Sequence, residues 1–149
     1  HFRTNSGASL SINSMSKYSV TILFSVISTI ALAILVMSIG WYLPIFTVVL
    51  IPSIIMHILA GLKAYQKQPE FNVWIILSAF AMLGFVWFRP DTDAHGGYTG
   101  YSSLIYHLGL NETQHTEPFA YTLELALVFL LAQIFCNTVI LLRKSGKMK

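Results

Sequence analysis

The histidine at position 57 is the residue whose type and surroundings most suggest chemistry. It lies in an apolar segment where the next ionisable side chain is Lys63, and Ser53 precedes it by about one helical turn. An imidazole inside a membrane is unfavourable without a partner, and such residues often mark functional sites. Three roles are open for His57: a hydrogen-bonding partner for another helix, a proton- or substrate-handling group, or a ligand of a metal or haem.

The last apolar segment carries three further polar side chains. Gln133 and Asn137 lie one turn apart on one helical face, and Glu124 lies nearer the outer end on a roughly opposite face. We expect Glu124 to be solvated or paired with Arg89 rather than coupled to ion movement. We expect Gln133 and Asn137 to hydrogen-bond a neighbouring helix or a second subunit, with a channel lining as the alternative.

A polar connection of about thirty residues precedes that last segment, and connections of this length often carry function. It is rich in carboxylates and imidazoles, which are suitable ligands for zinc, copper or iron. Their spacing matches no metal-binding motif, so a solvated or partner-binding loop is the competing interpretation. The candidate ligands are Asp91, Asp93, His95, His107 and His115.

Enzymatic signatures are missing from the sequence. It contains no His-Glu-x-x-His, no Gly-x-Ser-x-Gly, no Cys-x-x-Cys and no glycine-rich phosphate loop. The sequence therefore favours a protein that is not an enzyme, and it identifies no cofactor.

The elements that carry these residues are apolar helices. Of the 149 residues 55% are hydrophobic and only 10% are charged, far fewer than the roughly one quarter typical of a soluble domain. Apolar runs long enough to cross a hydrocarbon core of about 30 Å recur along the chain. We predict an all-α integral membrane protein, a single domain over 15–149, with spans at about 18–41, 45–65, 71–88 and 119–142.

Basic residues orient the spans, because cytoplasmic flanks retain Lys and Arg. They concentrate before the first span, after the second and after the fourth, whereas the connection after the third has one arginine against four acidic residues. Four spans place all three basic regions on one side, so both termini are predicted to be cytoplasmic. The basic residues form no face suited to nucleic acid.

Small residues mark the helix faces expected to pack, since close approach stabilises helices in lipid. The second span has Ser53, His57, Gly61 and Ala64 within a narrow sector, and the third has Ser78, Ala81 and Gly84. In the outer connection, apolar residues recur at helical spacing and predict a short amphipathic helix in the outer interface. These residues are Tyr101, Leu104, Ile105 and Leu108.

The segment 1–14 is rich in Ser and Asn and has no acidic residue, which is typical of an expression leader or of the remnant of an organelle presequence. We favour the leader, with Met15 as the initiator, and hence a bacterial plasma membrane over an organelle inner membrane.

Two main functions are open for a small four-helix membrane protein. The first is binding, as an accessory or structural subunit of a membrane complex, as a homo-oligomer, or as an immunity-type protein that neutralises a partner. The alternative is a small oligomeric channel or transporter that uses His57. A metal-dependent membrane enzyme with ligands in the outer loop is a third possibility.

Overall fold

The computed structural model describes residues 17–66, 71–115 and 120–143. The predicted leader over 1–14 lies outside these residues. The elements in chain order are α1 (Lys17–Met37), α2 (Leu43–Gln66), α3 (Asn72–Phe88), β1 (Pro90–Asp93), β2 (Gly96–Thr99), α4 (Gly100–His107) and α5 (Ala120–Leu142).

The fold is mostly helical, and in its described part three helices are long and apolar enough to cross a membrane. They comprise Tyr18–Met37, Phe46–Gln66 and Tyr121–Leu142, and α3 is a shorter apolar helix. The first span was predicted to reach Trp41, but α1 ends at Met37. It ends there because the next residues leave the helix to bond with the outer hairpin, through Trp41 N to Thr92 O at 2.9 Å.

Helix α3 lies at the centre of the bundle. Its largest interface is with α5, and α1 packs mainly on α3 while α2 packs mainly on α5. Consecutive helices α1 and α2 share only a small interface although five residues join them. Both ends of the bundle are filled by apolar clusters to which all four long helices contribute.

The contacts fix the helix directions. Val20, Ala64, Phe71 and Ile140 share one apolar cluster, so α1 and α3 begin where α2 and α5 end. At this end the Lys63 ammonium donates to the carbonyls of Leu141, at 2.7 Å, and of Arg143, at 3.0 Å. A cation therefore caps the negative C-terminal end of α5. Helices α2 and α5 are parallel to each other and antiparallel to α1 and α3.

The connection between α3 and α5 contains the predicted short helix, α4, and also a β-hairpin that the sequence pattern does not predict. Strands β1 and β2 pair antiparallel across the two residues Ala94 and His95. Asp93 Oδ1 accepts the backbone N–H of His95 at 2.8 Å, a local turn bond typical of aspartate. The strands have only four residues each and few β-forming side chains, so tertiary contacts rather than propensity determine them.

Candidate functional site

His57 lies at the centre of a hydrogen-bonded network that joins helices. The side chain is 3% exposed, and its Nε2 lies 3.0 Å from Ser28 Oγ on α1. Its Nδ1 lies 2.9 Å from Ser78 Oγ on α3. Ser78 Oγ in turn donates to Asn137 Oδ1 on α5 at 2.6 Å. One imidazole on α2 is thereby connected to each of the other three long helices.

The donors and acceptors in this network agree with one neutral tautomer of the imidazole. With the single hydroxyl hydrogen of Ser78 given to Asn137, His57 Nδ1 donates to Ser78. Nε2 is then the acceptor, and Ser28 donates to it. A neutral ring with its proton on Nδ1 satisfies all of these bonds, and Phe24 covers the ring at a centroid distance of 4.7 Å.

A direct hydrogen bond joins α2 and α5 one helical turn away from His57. Ser53 Oγ donates to Gln133 Oε1 at 2.8 Å, and both residues are buried. We call the six residues that make these bonds the polar layer. It lies between the two apolar clusters, and it consists of Ser28, Ser53, His57, Ser78, Gln133 and Asn137.

Two donors of the polar layer remain without acceptors among the described residues. They are Nε2 of Gln133 and Nδ2 of Asn137, and these residues are 1% and 0% exposed. A buried amide donor without an acceptor is destabilising. The described protein atoms therefore do not satisfy all the hydrogen-bonding groups of the polar layer.

The predicted small-residue faces lie against other helices. Ala64, Ser78 and Ala81 are buried. A Cβ on Gly61 would lie 2.8 Å from the Phe24 ring, and one on Gly84 would lie 2.6 Å from the Phe129 ring. At both glycines an aromatic ring therefore lies close against the helix backbone.

A second polar cluster closes the end of the bundle at which α1 and α3 end, and it is centred on an ion pair. Arg89 Nη1 lies 3.0 Å from Asp91 Oδ2, and both residues are 0% exposed. The other Asp91 oxygen accepts the backbone N–H of Tyr42 at 2.9 Å and of Thr92 at 2.8 Å. A carboxylate with this many donors is well compensated for the loss of water.

The same cluster supplies hydrogen-bond donors to the carbonyls at the C-terminal end of α1. The last carbonyls of a helix have no partner within the helix and must find donors elsewhere. Ser103 Oγ donates to Met37 O at 2.9 Å, and Tyr98 Oη donates to Ile39 O at 2.9 Å. Arg89 Nη2 donates to Ser38 O between them. The hairpin and α4 therefore act as the cap of α1.

Tyr98 is the least accessible aromatic residue of this cap, with 2% of its surface exposed. Burial, with the negative charges of Asp91 and Asp93, raises the pKa of the Tyr98 hydroxyl to about 12. Gly40 allows the close approach of the hairpin, since a Cβ there would collide with the Tyr98 hydroxyl and the Asp91 carboxylate. Burial also lowers the pKa of the Arg89 guanidinium, and the charge of Asp91 opposes that effect.

The five candidate metal ligands fall in three places. Asp91 is bound to Arg89, and His107 bonds the Ser103 carbonyl at 2.7 Å through Nδ1. Asp93, His95 and His115 line one outer cavity of about 250 Å³. Within residues 17–66, 71–115 and 120–143, no three His, Cys, Asp or Glu side chains are grouped so that they could hold a metal ion.

Asp93 connects the two sides of that cavity. Its Oδ1 lies 3.0 Å from His115 Nε2, and its Oδ2 accepts from Gln114 Nε2 at 2.8 Å. The turn bond from the His95 backbone, followed by the bond from His115, lowers the pKa of the Asp93 carboxyl. These bonds hold the segment after α4 against the hairpin turn.

Of the two alternatives expected for Glu124, solvation and pairing with Arg89, the structure fits the first. Arg89 pairs with Asp91 instead, because the hairpin brings that carboxylate beneath the end of α3. Glu124 is exposed. Because Phe129 packs on Gly84 and the helices are antiparallel, Glu124 lies about level with the end of α3.

Several residues of these clusters were not singled out from sequence as site residues. Ser28 belongs, with Thr21 and Ser25, to a stripe of small residues on α1 that predicts a packed helix face and not a bond to His57. Ser38 and Tyr98 had no such signal, because their roles depend on how the hairpin folds back. Asn72, at the start of α3, is 1% exposed, and neither of its amide atoms has a partner among the described residues.

Comparison of the chain with protein families, curated proteins and solved structures finds no match.

Proposed function

We propose that this protein crosses the membrane four times, with both termini cytoplasmic, and acts by binding as a small subunit of a membrane complex or as an immunity-type protein. The directions of the helices support four crossings, because α3 runs between the same two apolar clusters as the other three. Its 17 residues extend over about 26 Å, close to the hydrocarbon thickness of about 30 Å.

The distribution of basic residues supports the orientation. Lys17, Lys63 and Arg143 lie at the end of the bundle where α1 begins and α2 and α5 end. At the other end Arg89 is neutralised by Asp91, and Asp93, Glu112 and Glu124 add negative charge. The positive-inside rule places the first end in the cytoplasm, and a bacterial plasma membrane remains the favoured location.

An exposed stripe on α1 carries the proposal of binding. Ser25, Thr29 and Ala33 are exposed and follow one another at intervals of four residues, the spacing of small residues at interfaces between membrane helices. A surface groove of about 380 Å³ runs beside Thr29 and Ala33 towards Met37. A helix face in contact with lipid does not need small residues, whereas close packing against another helix does.

The polar layer supports a structural role for His57 within such a subunit. Both ring nitrogens are bonded, and each bond leads to another helix of the same chain. In a membrane interior these bonds stabilise helix association by about 0.6 kcal/mol each, and by up to about 1.7 kcal/mol. His57 thus joins the helices and leaves the outer faces free for a partner.

Photocrosslinking in the native membrane tests the binding proposal. A benzophenone amino acid at Ala33 should give a discrete protein adduct. The same group at Val48, which is 77% exposed on α2, is the matched control and should give adducts with lipid alone. Equal adducts at both positions, or none at Ala33, would overturn the proposal.

Cysteine labelling tests the topology. Cys136 is 6% exposed and is replaced by alanine to give a background without thiols. A membrane-impermeant maleimide added to intact cells should label Asn111→Cys and leave Gln66→Cys unlabelled until the membrane is opened. The reverse pattern, or equal labelling, would contradict the four-span orientation.

A channel or transporter is the second candidate, and the unpartnered amides of Gln133 and Asn137 favour it. Donors without acceptors are expected along a path that admits water or a polar solute. Replacing His57 by alanine distinguishes the candidates. Lost flux with normal assembly supports transport, whereas impaired assembly without any flux supports the subunit.

A metal-dependent enzyme is the weakest candidate, since Asp91 and His107 lie apart from the cavity that holds the other three candidate ligands. Metal analysis of the purified protein tests it. Stoichiometric metal that is lost on replacing His95 and His115 would revive this candidate.

A further inference from the structure

Two side-chain amides of the polar layer need the same kind of partner. Gln133 and Asn137 lie four residues apart on α5, so their Cβ atoms are neighbours on one helix face, about 5–6 Å apart. Gln133 Nε2 and Asn137 Nδ2 have no acceptor among the described residues, and the two residues are 1% and 0% exposed. Buried donors of this kind are satisfied in folded proteins by an acceptor from the protein or by an ordered ligand.

The assignment of the amide atoms does not remove this need. Ser53 Oγ donates to Gln133 Oε1 at 2.8 Å, and Ser78 Oγ donates to Asn137 Oδ1 at 2.6 Å. Turning either amide by 180° would place its nitrogen beside the serine and leave its oxygen without a donor instead. A partner that can both accept and donate satisfies the amides in every arrangement.

The charge of the surroundings argues against an ion in this position. The six residues of the polar layer carry no formal charge when the imidazole of His57 is neutral. The cations Lys63 and Arg89 are bonded at opposite ends of the bundle, to carbonyls at the end of α5 and to Asp91. An ion in the membrane interior without a compensating charge is strongly disfavoured. Water is neutral, small, and both a donor and an acceptor.

Ser53 can supply a third partner for a water molecule. Its hydroxyl gives its hydrogen to Gln133 and has two acceptor lone pairs, to which none of the described residues donates. A water that accepts from Gln133 and Asn137 still has two hydrogens to give, and one of them can reach Ser53. About three hydrogen bonds are usual for a buried water molecule.

We propose that the polar layer binds one water molecule, which accepts from Gln133 Nε2 and Asn137 Nδ2 and donates to Ser53 Oγ. Direct bonds divide the layer into two parts, the bond between Ser53 and Gln133 and the chain through His57 that ends at Asn137. The water joins these parts into one network that includes all four long helices. It accounts for the unpartnered amides without a conducting path, and it is independent of any protein partner.

Solid-state NMR spectroscopy of the full-length protein in lipid bilayers tests this site, through transfer of magnetisation from water to nitrogen-bound protons at short mixing times. We expect transfer to the side-chain NH2 groups of both Gln133 and Asn137. The backbone N–H of Ala31, which is 0% exposed and lies in an apolar cluster, is the internal control and should receive none. Transfer to neither amide, or to only one of them, would overturn the proposal.

Removing one amide tests whether a single water bridges both. In Gln133→Met the water loses one of its three partners, so transfer to the Asn137 NH2 group should fall by about half or more. Leu131→Met introduces the same side chain where α5 is 65% exposed and should leave both signals unchanged. Unchanged transfer to Asn137 in Gln133→Met would contradict a single bridging water. The wild-type measurement decides the proposal if this variant does not fold.

Water flux separates a bound water from a conducting path. Osmotic shrinkage of proteoliposomes, followed by light scattering, should proceed at the rate of protein-free liposomes, because one bound water is not a continuous file. Faster shrinkage with the protein would overturn the proposal and support the channel candidate. None of these measurements involves a partner protein, so their outcome is independent of the proposed binding function.

Discussion

Ser53 on α2 donates a hydrogen bond of 2.8 Å to Gln133 on α5, and the two residues are 80 positions apart in the chain. His57 and Asn137 have the same separation, 137 minus 57, and both bond the hydroxyl of Ser78. Two parallel helices are thus held in one register by polar contacts one turn apart. Apolar packing alone tolerates sliding between helices, whereas these bonds do not.

Replacing His57 by alanine should destabilise the bundle. The change removes both ring bonds and leaves a cavity beside Phe24, so we expect the free energy of unfolding to fall by about 2–4 kcal/mol. Steric trapping in bicelles measures this quantity. His95→Ala, at an exposed turn position, is the matched control, with an expected change below about 0.5 kcal/mol. Similar losses in both variants would contradict the polar layer.

Removing the Arg89 guanidinium should be more harmful than removing both charges of its ion pair. Arg89→Met leaves the buried Asp91 carboxylate unpaired, which costs about 3–5 kcal/mol. Adding Asp91→Asn should recover part of that loss, since an amide oxygen still accepts from Tyr42 N and Thr92 N. Unfolding of the two variants in detergent gives the comparison.

The control for this pair is Glu124→Gln in the Arg89→Met background. It should recover nothing, because Glu124 is exposed and does not contact Arg89. Recovery by Glu124→Gln and not by Asp91→Asn would show that the wrong carboxylate has been assigned to Arg89.

The sequence was sufficient to predict the apolar helices and the polar residues inside them. Hydropathy located every long helix to within a few residues, since a span must be apolar along its length. The face of α2 that carries Ser53 and His57 followed from helical periodicity. Which helix meets that face did not, because α1, α3 and α5 all carry small or polar residues that could have bonded His57.

The cap formed by the hairpin and α4 could not be predicted from the sequence, for a different reason. Its hairpin depends on Arg89, Asp91 and Tyr98 bonding carbonyl and amide groups of the α1–α2 connection, contacts between residues about 50 positions apart. Local propensity favoured a loop there. The sequence offered Glu124 on α5 only as one possible partner of Arg89, and it did not indicate that Asp91, two residues further along the chain, forms the ion pair.

Adding a methyl group at Gly84 should force α3 and α5 apart. A Cβ there would lie 2.6 Å from the Phe129 ring, so Gly84→Ala should lower the free energy of unfolding by about 1–3 kcal/mol. Combining Gly84→Ala with Phe129→Leu replaces the ring by a smaller side chain and should restore part of this loss. The single variant Phe129→Leu is the control. Thermal unfolding in detergent compares the three. Strict additivity of the two changes would contradict a direct contact.

Alkaline pH should open the cap through Tyr98. The folded protein raises the pKa of this hydroxyl from 10.0 to about 12 and thereby favours its protonated form. This contribution to stability is therefore complete below pH 10 and is lost as the pH rises towards 12. Ultraviolet titration should show a tyrosinate step near pH 12 that is missing from Tyr98→Phe. Identical titration curves for the two proteins would contradict the buried position of the hydroxyl.

The central claim, that this protein acts as a subunit of a membrane complex, is tested most directly by native mass spectrometry after extraction from its own membrane into nanodiscs. We predict a heteromeric complex of fixed stoichiometry that disappears with Ala33→Leu on the exposed stripe of α1 and persists with Val48→Leu on the lipid-facing side of α2. A protein that is always recovered alone, or a complex that is indifferent to Ala33→Leu, would contradict the claim.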